Sequence, residues 1–167
     1  MRLSPIALVF GLAASSMAVP SASQRPDDQI APRSTQLLKQ GETAAAAGKY
    51  LEADDNFEAA LAVDPRNRAA FVAMARVASK QKLYGQAIRF TNKALSLEPT
   101  DRDAMTVQGQ AMVELGAAAR AKEVLAKLQA LCAGPCPEAT TLSASVARGP
   151  TLAAAKPAAT TPKTKTN

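Results

Sequence analysis

Two stretches of this chain coincide when one is slid 34 residues along. Tyr50, Ala53, Ala60, Leu61, Val63 and Pro65 fall on Tyr84, Ala87, Ala94, Leu95, Leu97 and Pro99, and the acid before each proline also repeats, Asp64 onto Glu98. A fixed period of this length means that one supersecondary unit is copied and stacked, because a single unit cannot bury its apolar face alone. Apolar residues recur with helical spacing from Pro32 to Ala147, while strand-type alternation is absent and β-branched residues are sparse. The expectation is an all-α chain with helices over 33–47, 50–63, 67–81, 84–97, 101–115, 118–132 and 137–147.

The breaks between these segments have chemical causes. Gly48 and Gly116 stand where paired helices must turn back. Proline disfavours helix at the residue before it, so Asp64-Pro65 and Glu98-Pro99 end the second helix of each pair. Asn67 and Asp101 then stand where a helix needs an acceptor for its first free N–H groups. Ala53 and Ala60 lie two turns apart on one face, as do Ala87 and Ala94, and a methyl side chain there lets two helices approach closely. Large side chains such as Phe57, Leu61, Phe71, Met74, Ile88, Leu95, Met105, Met112, Leu125 and Leu128 fill the remaining space. Burying each contributes about 1.5–3 kcal/mol. Tyr50 and Tyr84 are expected to wedge between neighbouring helices.

The spacing of Gly41, Tyr50, Ala53, Phe57, Ala60 and Pro65 resembles the tetratricopeptide repeat (TPR), and so does that of Phe71, Ala75, Tyr84, Ala87, Ala94 and Pro99. A third copy keeps Met105, Gly109, Gly116, Ala121, Leu125 and Leu128 but has Ala118 for the tyrosine and Ala133 for the proline. The resemblance implies a right-handed α-solenoid of three helix pairs, at about 33–66, 67–100 and 101–134, in a domain over 33–147. It also implies a concave ligand face built from the first helix of each pair, and no catalytic residues. The groove positions it implies are Leu38, Glu42 and Ala45, then Ala69, Val72, Arg76 and Ser79, then Thr106, Gln110 and Val113; Lys80 joins them on its charge, beside Arg76. These lack the asparagine and lysine set with which chaperone-binding relatives clamp a C-terminal carboxylate.

The ends of the chain read differently. Arg2 followed by an apolar run to Met17 and then small residues predicts a secretory signal over 1–22, too short to span a bilayer comfortably. Residues 23–32 form a proline-bearing linker. Residues 148–167 are mostly Ala, Thr, Pro and Lys with no acid, and are expected to form a basic tail without a core of their own. The expected setting is therefore the periplasm, or secretion to the exterior. Weak contact of the tail with anionic envelope polymer is a further expectation. Nucleic acid is not an expected partner, because no aromatics interleave the basic residues to stack bases.

Cys132 and Cys136 are the chain's two cysteines and flank Ala133-Gly134-Pro135. In an exported chain such a pair predicts a disulfide that fixes the angle of a final helix. That helix, 137–147, carries Ala139, Leu142 and Val146 on one face and is expected to cap the third repeat. A redox-active pair or a metal site is the alternative. The first would more often have two intervening residues, and the second would need further ligands in a chain with no histidine. The same lack removes the usual general base from hydrolytic chemistry, and the glycines are spread singly and form no phosphate cradle. No cofactor is expected.

Charge is uneven along the repeats. Residues 33–65 carry three basic and six acidic side chains, net −3, and residues 66–98 carry seven basic and one acidic, net +6. A positive second repeat would steer an acidic segment of a partner protein into the groove, with Arg76 the foremost contact. Alternatively, the two repeats simply complement each other. The function that follows is a non-enzymatic scaffold of the bacterial cell envelope. A thiol or metal handler working through Cys132 and Cys136, or a polymer anchor working through the tail, is the rival.

Overall fold

The residue that reverses the chain within each helix pair recurs at the 34-residue period in the left-handed region. Gly48 and Gly116 have φ +77°, and Lys82, midway between them, has φ +61°. In a computed structural model, which describes residues 29–151, these turns join α1 (Pro32–Ala46) to α2 (Tyr50–Val63), α3 (Arg68–Lys80) to α4 (Tyr84–Leu97), and α5 (Arg102–Glu114) to α6 (Ala118–Ala130). A seventh helix, α7 (Pro137–Arg148), follows. No strand occurs among the described residues. The chain is an α-solenoid: each helix packs on the next, and α1, α3, α5 and α7 also touch in sequence to form one layer.

Helix boundaries follow the expected caps. Asn67 and Asp101 stand just outside α3 and α5; Asn67 accepts from the Ala70 N–H, and Asp101 from the Asp103 and Ala104 N–H groups. Pro32, expected in the linker, instead opens α1, where a proline's missing N–H costs nothing. Arg148, expected to begin the tail, is the last residue of α7. The expected signal over 1–22, most of the linker, and residues 152–167 lie outside the described residues.

The seam between helices is built on the small residues. Ala53, Ala60, Ala87, Ala94 and Ala121 are fully buried. Gly41 lies so close to Phe57 that an added Cβ would stand 2.4 Å from the ring, which explains why glycine faces the largest buried side chain. One period later Thr91 occupies the place of Phe57. It is fully buried and its hydroxyl donates to the Ala87 carbonyl at 3.1 Å. Gly109 repeats the device of Gly41 toward α7, where an added Cβ would stand 2.6 Å from Leu142. Ala139 and Leu142 are buried and Val146 packs beside them, as the apolar face of 137–147 predicts.

Asp64 does more than stop α2. Its buried carboxylate accepts from the Ala31 N–H at 2.9 Å, and from the Arg66 N–H at 3.1 Å and Nε at 3.2 Å. Beside it, the buried Ser34 hydroxyl donates to the Ala60 carbonyl at 2.7 Å and accepts from Asn67 Nδ2 at 2.8 Å. The first repeat is thus pinned at its open end by polar groups that satisfy one another.

Candidate functional site

Three helices of the inner layer, α3, α5 and α7, together with Tyr84 at the start of α4, line an open cavity of about 660 Å³. Its floor is α5, through Asp103, Thr106, Val107, Gln110 and Glu114; α3 supplies Arg76, Ser79 and Lys80, and α7 supplies Pro137, Glu138, Thr141 and Arg148. Of the groove residues implied by the sequence, Arg76, Lys80, Thr106 and Gln110 meet here, together with Ser79. Val72 and Val113 do not present a surface: both are buried in the seam between helices. Leu38 and Ala45 are half-buried against the core of the first repeat, and Glu42 is exposed on α1, away from the cavity. Ala69 lines a different depression of about 650 Å³, with Ile30, Arg68 and Leu97.

The wall from α7 went unread in the sequence, where that helix figured only as a cap. The signal is present at a spacing of 35 instead of 34. Asp103 and Thr106 fall on Glu138 and Thr141 when slid by that amount. α7 therefore occupies the place of a fourth first helix and lengthens the concave face.

Ion pairs bind the second repeat to the third, and the third to α7, across this layer. Arg76 pairs with Asp103, Arg68 with Asp101 at 3.3 Å, Arg102 with Glu138 at 3.9 Å, and Arg148 with Glu114 at 3.6 Å. The basic second repeat thus spends Arg68 and Arg76 on the acids of the third. Lys80 makes no ion pair among the described residues and is the lining cation open to a ligand carboxylate. Burial pushes the Glu114 carboxyl up, but donors outweigh it and leave it below the usual value: the Thr151 N–H at 2.9 Å, the Thr151 hydroxyl at 2.8 Å, and Arg148.

Cys132 and Cys136 lie in the loop between α6 and α7 at disulfide distance, with Cα atoms 5.9 Å apart. Cys132 stands 34 residues beyond Glu98, so the cysteine loop takes the place of the acid-proline stop that ends α2 and α4. No cluster of three or more His, Cys, Asp or Glu side chains suited to a metal occurs among the described residues. No described helix is long and apolar enough to cross a membrane.

No family model matches the chain, and no curated protein does. Solved structures do. The Sgt2 TPR domain from Aspergillus fumigatus is 22% identical with a TM-score of 0.64, the match covering 82% of this chain and 90% of that one. The TPR2B domain of yeast Sti1, solved in a complex with pHsp70, is 16% identical with a TM-score of 0.65, covering 71% and 98%. The second TPR domain of human RPAP3, in complex with the HSP70 peptide SGPTIEEVD, is 22% identical with a TM-score of 0.58, covering 67% and 97%. The chain has the TPR fold.

Proposed function

From a TPR-type solenoid with an open concave face, we propose a protein-interaction module that holds an extended segment of another protein along α3, α5 and α7. The observation that carries this is the cavity over α5. It is open, walled on both sides by helices, and lined mostly by charged and hydrogen-bonding side chains, with Val107 and Pro137 among them, a surface suited to a polar segment. Two of the structurally similar TPR domains are solved in complex with chaperone ligands, one of them the peptide SGPTIEEVD, which supports use of the same face. The lining offers Arg76, Lys80 and Arg148 against Asp103, Glu114 and Glu138, so the segment would be of mixed polarity, its carboxylate set toward Lys80. Arg76, engaged by Asp103, is a weaker candidate for that contact.

The setting we propose is the cell envelope, from the signal-like residues 1–22, with Cys132–Cys136 as a structural disulfide that orients α7. Mass spectrometry of the chain from fractionated cells, with and without thiol alkylation, tests both points. An intact N-terminus in the cytoplasmic fraction, or free thiols in the exported one, would remove them. The groove itself is tested by peptide display on the full chain. Thr106→Arg with Gln110→Arg should weaken the selected peptides at least about tenfold, equivalent to about 1.4 kcal/mol. Arg89→Ala with Lys93→Ala on the exposed face of α4 should leave them unchanged. Loss with the second pair and not the first would move the site off the concave face.

A further inference from the structure

We infer that the outer face of α2 and α4 is a contact between two copies of this chain, related by a two-fold axis that runs along the helices midway between them. This face belongs to the second helices, which pack on the first helices but not on one another. Leu51, Asp55 and Glu58 share one side of α2, at spacings of four and three, and all are exposed; Leu51 keeps 82% of its exposure. One period later the same side of α4 carries Gly85, Arg89 and Asn92, also exposed. α2 holds four acids and no basic residue, whereas α4 holds Arg89 and Lys93 and no acid.

Within one copy these charges go unmatched. Of the α2 acids, Glu52 pairs with Lys49 at 3.1 Å, while Asp55 and Glu58 make no ion pair among the described residues, and neither do Arg89 and Lys93. Burial, then Glu58 and Asp55 as like charges, pushes the Asp54 carboxyl up, so the acids of α2 crowd one another without a cation to relieve them. Gly85 is unexplained as well. It stands in the first turn of α4 without a left-handed backbone, and nothing lies within 4 Å of an added Cβ. The chain has there a helical glycine that its own packing does not require.

A second copy supplies both matches. Equivalent positions of successive repeats stand at similar heights, because each repeat is a copy of the last with a small rotation. A two-fold axis parallel to the helices therefore sets each residue of α2 against the residue 34 places later in the second copy. Leu51 meets the gap over Gly85 of the second copy, and Asp55 meets its Arg89. Symmetry makes each contact twice. Other axes fail on charge. One lying across the helices sets the acids of α2 on themselves, and one between α4 and α6 sets Lys93 against Lys127. Two helices a side form a small interface, so the association is reversible and sensitive to salt.

Sedimentation equilibrium of the full chain is the test. It is run up to about 1 mM chain, where even a dissociation constant of that size leaves much of the protein paired. Twice the chain mass is expected at about 0.01 M salt, where charges act over about 30 Å, and the single-chain mass at about 1 M, where they act over about 3 Å. Asp55→Arg and Arg89→Asp should each be monomeric at low salt. An equimolar mixture of the two should recover the doubled mass, since each reversed charge then meets its opposite. Gly85→Leu should be monomeric with unchanged far-UV circular dichroism, because leucine suits a helix but fills the gap. A monomeric unaltered chain at low salt overturns the inference. So does a doubled mass that salt leaves unchanged, and so do reversals that spare the dimer or dissociate it without rescue on mixing.

Discussion

At the scale of single residues, Asp64 shows how one carboxylate ties distant parts of a repeat together. Hydrogen bonds from the Arg66 side chain, then from the Ala31 N–H, hold its pKa down to about 2 against an ordinary 3.8, despite burial. The folded value lies below the unfolded one, so the unfolded chain binds the proton first. Asp64's stabilisation is complete above about pH 4 and is lost as pH falls toward 2. A difference of this size corresponds to about 2 kcal/mol. Asp64→Asn should lose about that much at neutral pH and should flatten the fall in stability between pH 4 and 2, as measured by urea unfolding. An unchanged acid limb would mean that other carboxylates carry it. Lys82 is the second case. It holds a left-handed conformation that glycine takes in the other two pairs, and a side chain there costs about 1 kcal/mol. Lys82→Gly should therefore stabilise the chain by about 0.5–1 kcal/mol, and Gly48→Ala should destabilise it by a similar amount although nothing lies within 4 Å of the added methyl. Equal and opposite shifts of the urea midpoint are the expected result.

Among the elements, the six paired helices were legible because a single period carries their caps, turns and small residues at once. The place of α7 was only half legible. Its buried face of Ala139 and Leu142 follows from spacing, but its share in the groove hides behind one extra residue in the cysteine loop, which changes the offset from 34 to 35. The close approach of Gly109 to Leu142 is what seats it, and nothing in a local pattern links two residues 33 apart. Gly109→Val should push α7 away at a cost of about 1–3 kcal/mol, the usual price of overpacking. Far-UV circular dichroism should lose the content of one helix before the rest melts. Reduction of the proposed Cys132–Cys136 bond acts on the same element from its other end. Opening so short a loop should cost about 2 kcal/mol in the chain-entropy picture. Amide exchange should rise in 137–148 and stay unchanged in α1 and α2.

At the level of the whole molecule, the curved inner layer was legible as a face but not as a list of contacts. Five of the nominated groove residues, Arg76, Ser79, Lys80, Thr106 and Gln110, line the cavity. Val72 and Val113 do not, because the pitch of the stack turns their positions into the seam. The charge of the second repeat was legible in total but not in use: Arg68 and Arg76 are bound to Asp101 and Asp103, so part of the field that looked free for a partner joins neighbouring repeats. That arrangement has a consequence for how the molecule comes apart. In a solenoid each repeat touches only its neighbours, so damage should spread by one interface and fade. Phe57 and Leu142 are the largest fully buried side chains near the two ends, in separate clusters. Phe57→Ala and Leu142→Ala should each cost about 3–5 kcal/mol locally. Hydrogen exchange followed by mass spectrometry should show Phe57→Ala exposing α1 and α2 while α6 and α7 keep their protection, and Leu142→Ala doing the reverse. If either variant instead released all seven helices together, the interfaces between repeats would be as strong as the repeats themselves.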